Sequence, residues 1–346
     1  MTPLFARVVG IVVLVGLCLV LAGGTASAVN FVMINGDSAG EGFNDPVLGS
    51  ARVTAFLYAL DIWGNTIEEV YPGETIQVYA TMDPMGGDAV SATLGSAGTV
   101  DYWGVTGAPT PDGPVLTVYG SALTNHLVGY DPGGNPEIVA QFNSDVDNGT
   151  VLGAVDWYYG LDGNPPEAVP GVDHVDFVSV VLHELGHGLN FFDTLLDTGQ
   201  FMFYDGSTGL DVPGIYDRFL VQGAEGGTRL VDMATDAERA AALISGDLYW
   251  MGVGGVEANG GVLPELYAPN PYEDGSSASH LDEVVFPDIL MSPYYSGPQH
   301  LVDPIERGML EDMGWDIVRA PLAVPEPASL SLLGLGMLAA SRRRRR

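Results

Sequence analysis

No lysine occurs anywhere in the 346 residues, and five of the twelve arginines are the last five residues. Between Val29 and Ala323, six arginines face 43 acids, a net charge of −37. Such a surface repels nucleic acid and anionic membranes, which excludes both as ordinary partners. Its plainest reading is solubility, in surroundings salty enough to screen self-repulsion. A structural Ca2+ role stays open, although no loop has the spacing of a calcium hand. Asp145-Val146-Asp147-Asn148-Gly149 comes nearest, with its glycine one position early. Cysteine is also nearly absent. Cys18, the single one, lies in an N-terminal apolar run, so the chain beyond it forms no disulfide and must find its stability elsewhere. No sequence repeat recurs at a fixed period, which removes solenoids and propellers.

Glycine and proline, by contrast, are abundant, at 47 and 23 residues. They predict many turns, long loops and short strands around a core that 47% hydrophobic residues can fill. Both ends read as addresses. Arg7, the apolar run Val8 to Ala22 and the small-residue site Ala26-Ser27-Ala28 describe a secretory signal peptide over residues 1–28, because the run is shorter than the about 20 residues of a membrane span. At the other end, residues 321–346 contain Pro325-Glu326-Pro327, the apolar stretch Ala328 to Ala340 and Arg342 to Arg346. Thirteen apolar residues followed by arginines make a transient stop with the arginines left inside. This three-part tail resembles the PEP-CTERM sorting signal of Gram-negative bacteria. The resemblance implies an exosortase-type processing enzyme as partner, only transient contact with the membrane, and delivery to the cell surface or extracellular matrix.

Between the ends the pattern is mixed. Asn30 to Asn35, Thr75 to Met82 and Glu137 to Phe142 are predicted strands, and Gly104 to Gly113 and Leu161 to Gly171 predicted loops. Ala51 to Ile67 carries Val53, Phe56, Leu57, Leu60 and Trp63 at helical spacing. Asp176 to Leu189 is the strongest helix, with Phe177, Val180, Val181, Leu185 and Leu189 assigned to one face. Further helices are expected at Ala234 to Leu243 and Pro304 to Gly314.

The chemistry lies in His183-Glu184-Leu185-Gly186-His187. Two imidazoles four apart share one helical face and reach one ion, while Glu184 sits beside that ion without binding it. Zn2+ accounts for these residue types: neutral imidazoles leave it Lewis-acidic, and the glutamate acts as general base toward an activated water. His126, His174 and His300 lack ligand spacing to the pair and read as structural or surface residues.

His183 to Phe191 resembles the active-site helix of zincin metallopeptidases, and more narrowly of metzincins. Metzincins have a glycine where this chain has Asn190, and a third ligand where it has Asp193. Asparagine tolerates the left-handed turn that the glycine serves. Farther on, Ser279-His280-Leu281, then Met291 and the segment Gly308 to Trp315, are similar to the leishmanolysin family, in which a late histidine completes the zinc site and a methionine turn underlies it. The resemblance implies His280 as third ligand, with Asp193 as the alternative, and Met291 as the turn methionine. Neutral imidazole is the commoner third ligand, which favours His280. By analogy, Tyr294 or Tyr295 would stabilise an oxyanion.

The implied fold is α+β, a two-subdomain zincin over residues 29–320 with the active-site helix below a mixed sheet. Its subdomains would divide at about 191/192. The implied activity is a secreted zinc endopeptidase acting on extracellular protein or peptide. A matrix adhesion protein on the same scaffold is the rival expectation, although it gives the glutamate no task.

Overall fold

The computed structural model describes residues 28–318, apart from 106, 109 and 114. The leader up to residue 27 and the tail from 321 lie outside the described residues. The first half is built on a four-stranded mixed sheet ordered β1-β2-β6-β3. Strands β1 (Asn30–Asn35), β2 (Thr75–Asp83) and β6 (Ile138–Asn143) run parallel. At the edge, β3 (Gly95–Thr99) pairs antiparallel with β6, Gly95 opposite Phe142 and Thr99 opposite Ile138. In β2, Ile76, Val78, Ala80 and Met82 alternate into the core, as a half-buried strand requires. A second ribbon joins β4 (Tyr102–Val105) to β5 (Thr117–Gly120), so the loop expected from Gly104 begins inside a strand.

Helix α1 (Gly49–Gly64) buries Phe56, Leu60 and Trp63, whereas Leu57 is 43% exposed. The buried stripe is completed instead by Ala55 and Ala59, whose small size brings the helix close to its neighbours. The indole of Trp63 donates to Leu182 O at 3.0 Å, tying α1 to the site helix. After β5 comes α2 (Ser121–Val128), closed by left-handed Gly129, an element the sequence reading did not anticipate. Short strands follow: β7 (Trp157–Tyr158) pairs with β10 (Val175–Asp176), and a hairpin, β8 (Glu167–Val169) with β9 (Val172–Asp173), occupies the end of the loop expected over 161–171.

Helix α3 (Phe177–Gly188) carries the motif. Asp176 caps it by accepting Ser179 N–H at 2.8 Å. The apolar face assigned from spacing is too narrow: Val178 and Leu182 are as buried as Phe177, Val181 and Leu185, because α3 packs against both α1 and the sheet. Its end turns on Asn190, whose φ of 76° is the left-handed conformation expected there. The Asn190 amide oxygen also accepts Gly120 N–H at 3.1 Å.

The second half is loop-rich. It holds the hairpin β11 (Phe203–Asp205) with β12 (Leu210–Val212). Its four-stranded sheet is ordered β14-β13-β15-β16, built from β13 (Leu220–Gln222), β14 (Thr228–Arg229), β15 (Leu248–Trp250) and β16 (Glu265–Leu266). Helices α4 (Asp236–Ala242), α5 (Val253–Ala258) and α6 (Pro304–Met313) complete it. Helix α6 starts with a capping box of Asp303 and Glu306 and stops at left-handed Gly314. One buried apolar cluster runs from Val29 to Ile317, so residues on both sides of the division expected near 191 share a core. No described helix is long and apolar enough to cross a membrane.

Candidate metal centre

Helix α3 places His183 and His187 one turn apart, and His280 reaches them from 93 residues beyond His187. The three Nε2 atoms form a triangle with each side 3.2 Å. Each ring fixes its other nitrogen on a backbone carbonyl: His183 Nδ1 on Leu290 O at 2.8 Å, His187 Nδ1 on Phe191 O at 2.7 Å, His280 Nδ1 on Ser276 O at 2.8 Å. A carbonyl only accepts, so every Nδ1 carries the proton and every Nε2 presents a bare lone pair. The short contacts between Nε2 atoms therefore hold no proton. Burial, with the neighbouring rings adding to it for His187 and His280, opposes protonation of all three; His187 falls to about 3.

Three converging lone pairs repel unless a cation lies among them. Nitrogen ligands about 2.0–2.1 Å from a tetrahedral zinc ion stand about 3.3–3.4 Å apart, close to the observed triangle. The donor set therefore fits zinc. Among the described residues, His183, His187 and His280 are the one group of three or more histidine, cysteine or acidic side chains close enough together to hold an ion. Asp193, the alternative third ligand, points elsewhere: its carboxylate accepts Ser279 Oγ–H at 2.8 Å and Leu195 N–H at 2.9 Å. Asp145 and Asp147 likewise serve as local clasps, Asp147 receiving Arg52 at 2.7 Å and the Tyr159 hydroxyl at 2.6 Å.

Met291 lies directly under the motif. A Cβ on Gly186 would fall 2.5 Å from Met291 Sδ, so glycine at 186 is what lets the methionine seat there. Glu184 is 7% exposed and faces β3, where a Cβ on Gly95 would come 3.1 Å from its Oε1. Burial pushes the Glu184 carboxyl up to about 8, opposed by the Ala97 backbone amide. A cation at the imidazoles acts in the same sense as that amide.

His183, Glu184, His187 and His280 open on one cleft of 1040 Å³, lined by β3, α3, the segment around Tyr272 to His280 and the residues on either side of Met291. Tyr294 and Tyr295, the residues expected to face an oxyanion, also line it. Tyr295 accepts Asp176 N–H at 2.9 Å, and Tyr294 bonds Tyr267 at 3.0 Å and Glu273 at 2.9 Å. The remaining histidines are structural. His126 bonds Glu74 at 2.7 Å in the core, His174 accepts Asp156 N–H at 2.9 Å, and His300 bonds buried Asp176 at 2.8 Å. Sequence reasoning missed β3 as the cleft wall and Glu306 behind the Met291 turn.

No curated protein and no solved structure matches the chain. Residues 323–346 match the family model of the PEP-CTERM protein-sorting motif. The chain thus carries a PEP-CTERM signal, which directs export to the surface or exterior of a Gram-negative cell and recognition by an exosortase-type enzyme.

Proposed function

We propose that the chain is an exported zinc endopeptidase held on a zincin-like scaffold, with His183, His187 and His280 as ligands and Glu184 as general base. The observation that carries this reading is the triangle of three deprotonated Nε2 atoms, each ring locked by a backbone carbonyl, with a buried glutamate next along the same helix. Zinc bound there supplies Lewis acidity and brings the pKa of water at the site to about 7.

The chain's own groups supply the rest. A carboxylate oxygen of Glu184 takes the proton of the attacking water and returns it to the departing amine nitrogen. Burial of Glu184 against Gly95 keeps competing water away from that proton. As the outer strand of its sheet, β3 pairs on one side with β6 and offers its other side to an extended peptide, which favours a polypeptide substrate over a small amide.

Glu184→Gln tests the proposal. Zinc content should stay at the wild-type level while peptide hydrolysis falls by about 10² or more. Hydrolysis by the variant at the wild-type rate would remove the general-base role, and an adhesion protein would show no hydrolysis in either form.

A further inference from the structure

Met291 is a junction of three segments. Its N–H donates to Glu306 Oε1 at 2.6 Å, and its carbonyl accepts the N–H of Leu281, the residue after His280, at 2.9 Å. The carbonyl on the other side of the same peptide unit, Leu290 O, is the one that receives His183 Nδ1. The Leu290–Met291 peptide therefore has a carboxyl oxygen on its donor end and a candidate ligand on its acceptor end. Glu306 is 1% exposed, and its Oε2 accepts Asp303 N–H at 2.8 Å in the capping box of α6. Capping the helix needs only that second oxygen. The first is spent on a turn 15 residues upstream, which helix capping does not explain.

We propose that Glu306 is a positioning residue of the metal centre, fixing through the Leu290–Met291 peptide the carbonyl that orients His183 and, through Met291 O, the segment that carries His280. The inference rests on the zinc reading above. Groups that hold the outer nitrogen of a ligating imidazole set its tautomer and direction, and their loss weakens metal binding. A peptide whose N–H is bonded to a carboxyl oxygen is also a stronger acceptor at its carbonyl. Glutamine at 306 keeps the shape but replaces one of two acceptor atoms with a donor, so it cannot receive both N–H groups.

The test is zinc affinity of the full chain, measured by competition with a chromophoric chelator. The ring N–H signals of the metal-free protein are followed in parallel by NMR with labelled histidine. Glu306→Gln should weaken zinc binding about tenfold and move the His183 Nδ1–H signal. Asp303→Ala removes the cap side chain without touching Met291 N–H. It should lower the melting temperature yet leave zinc affinity within about twofold. Should Glu306→Gln fail to fold, Glu306→Asp replaces it. Aspartate keeps two acceptor oxygens one methylene nearer α6, so it retains the cap, loses Met291 and still weakens zinc binding. Zinc affinity of the Glu306 variants equal to wild type, or an equal loss in Asp303→Ala, would overturn the inference alone. Absence of zinc binding in the wild-type chain would overturn the parent reading together with it.

Discussion

Adding one methyl group to the motif measures how closely the methionine turn supports it. In Gly186→Ala the new Cβ meets Met291 Sδ at 2.5 Å and Cε at 3.0 Å, against about 3.5–4.0 Å for ordinary contact. Met291 is 1% exposed, so its side chain has packed neighbours on every side and must move by about 1 Å into them. Overpacking of this kind costs about 1–3 kcal/mol, while alanine gains about 1 kcal/mol over glycine inside a helix. The net expectation is a loss of about 1 kcal/mol. Met291→Ala alone opens a cavity costing about 2–5 kcal/mol. In the double variant the clash is gone and the new methyl fills part of the cavity. The pair should therefore be more stable than the sum of the singles by about 1 kcal/mol or more. Urea unfolding of chelator-treated protein is the appropriate assay, because bound zinc would add its own stabilisation to each variant unequally. Additivity within about 0.5 kcal/mol would refute direct packing of Met291 on Gly186.

Three further outcomes follow from the same geometry. Asn190→Gly gives up the bond to Gly120 N–H, whereas Asn190→Ala also strains the backbone at φ 76°; alanine should be the less stable by about 1 kcal/mol in urea unfolding, and equal losses would contradict the turn. The exposed acids lining the cleft are Asp197 and Asp274, with no arginine beside them, so kcat/KM should be higher for a lysine-rich peptide than for its glutamate-rich counterpart, and the gap should narrow as salt rises; a preference for the acidic peptide would count against the cleft as the binding site. Burial pushes the Asp217 carboxyl up to about 6, so the folded chain holds this proton where the unfolded chain, near about 3.9, has lost it. Its contribution to stability is whole below about pH 4 and is lost as pH rises through about 6, and the stability difference between wild type and Asp217→Asn should shrink across that window rather than grow.

The parts legible in the sequence are those whose signal is local. Helical spacing of Phe56, Leu60 and Trp63, alternation along Thr75 to Met82 and the proline at the start of α6 each mark an element without reference to the rest of the chain. The pair His183 and His187 is legible for the same reason. What escaped is non-local. Gly95-Ser96-Ala97-Gly98-Thr99 has no apolar alternation and weak strand propensity; pairing with β6 makes it a strand. His280 is legible only through a family resemblance, since no spacing rule spans the 93 residues from His187, and the preference for it over Asp193 rests on imidazole being the commoner ligand; in the structure Asp193 is already spent on Ser279 and Leu195. The Asp303 to Glu306 spacing accounts for one oxygen of Glu306, Oε2 in the helix cap, and only the fold brings the other, Oε1, to Met291.

Metal analysis of the purified chain bears most directly on the central claim. About one zinc per chain is expected in the wild type, with loss of it in His183→Ala, His187→Ala and His280→Ala and its retention in Asp193→Ala. A wild-type chain that emerges without metal, or one that keeps its ion after the imidazoles are removed, would contradict the account.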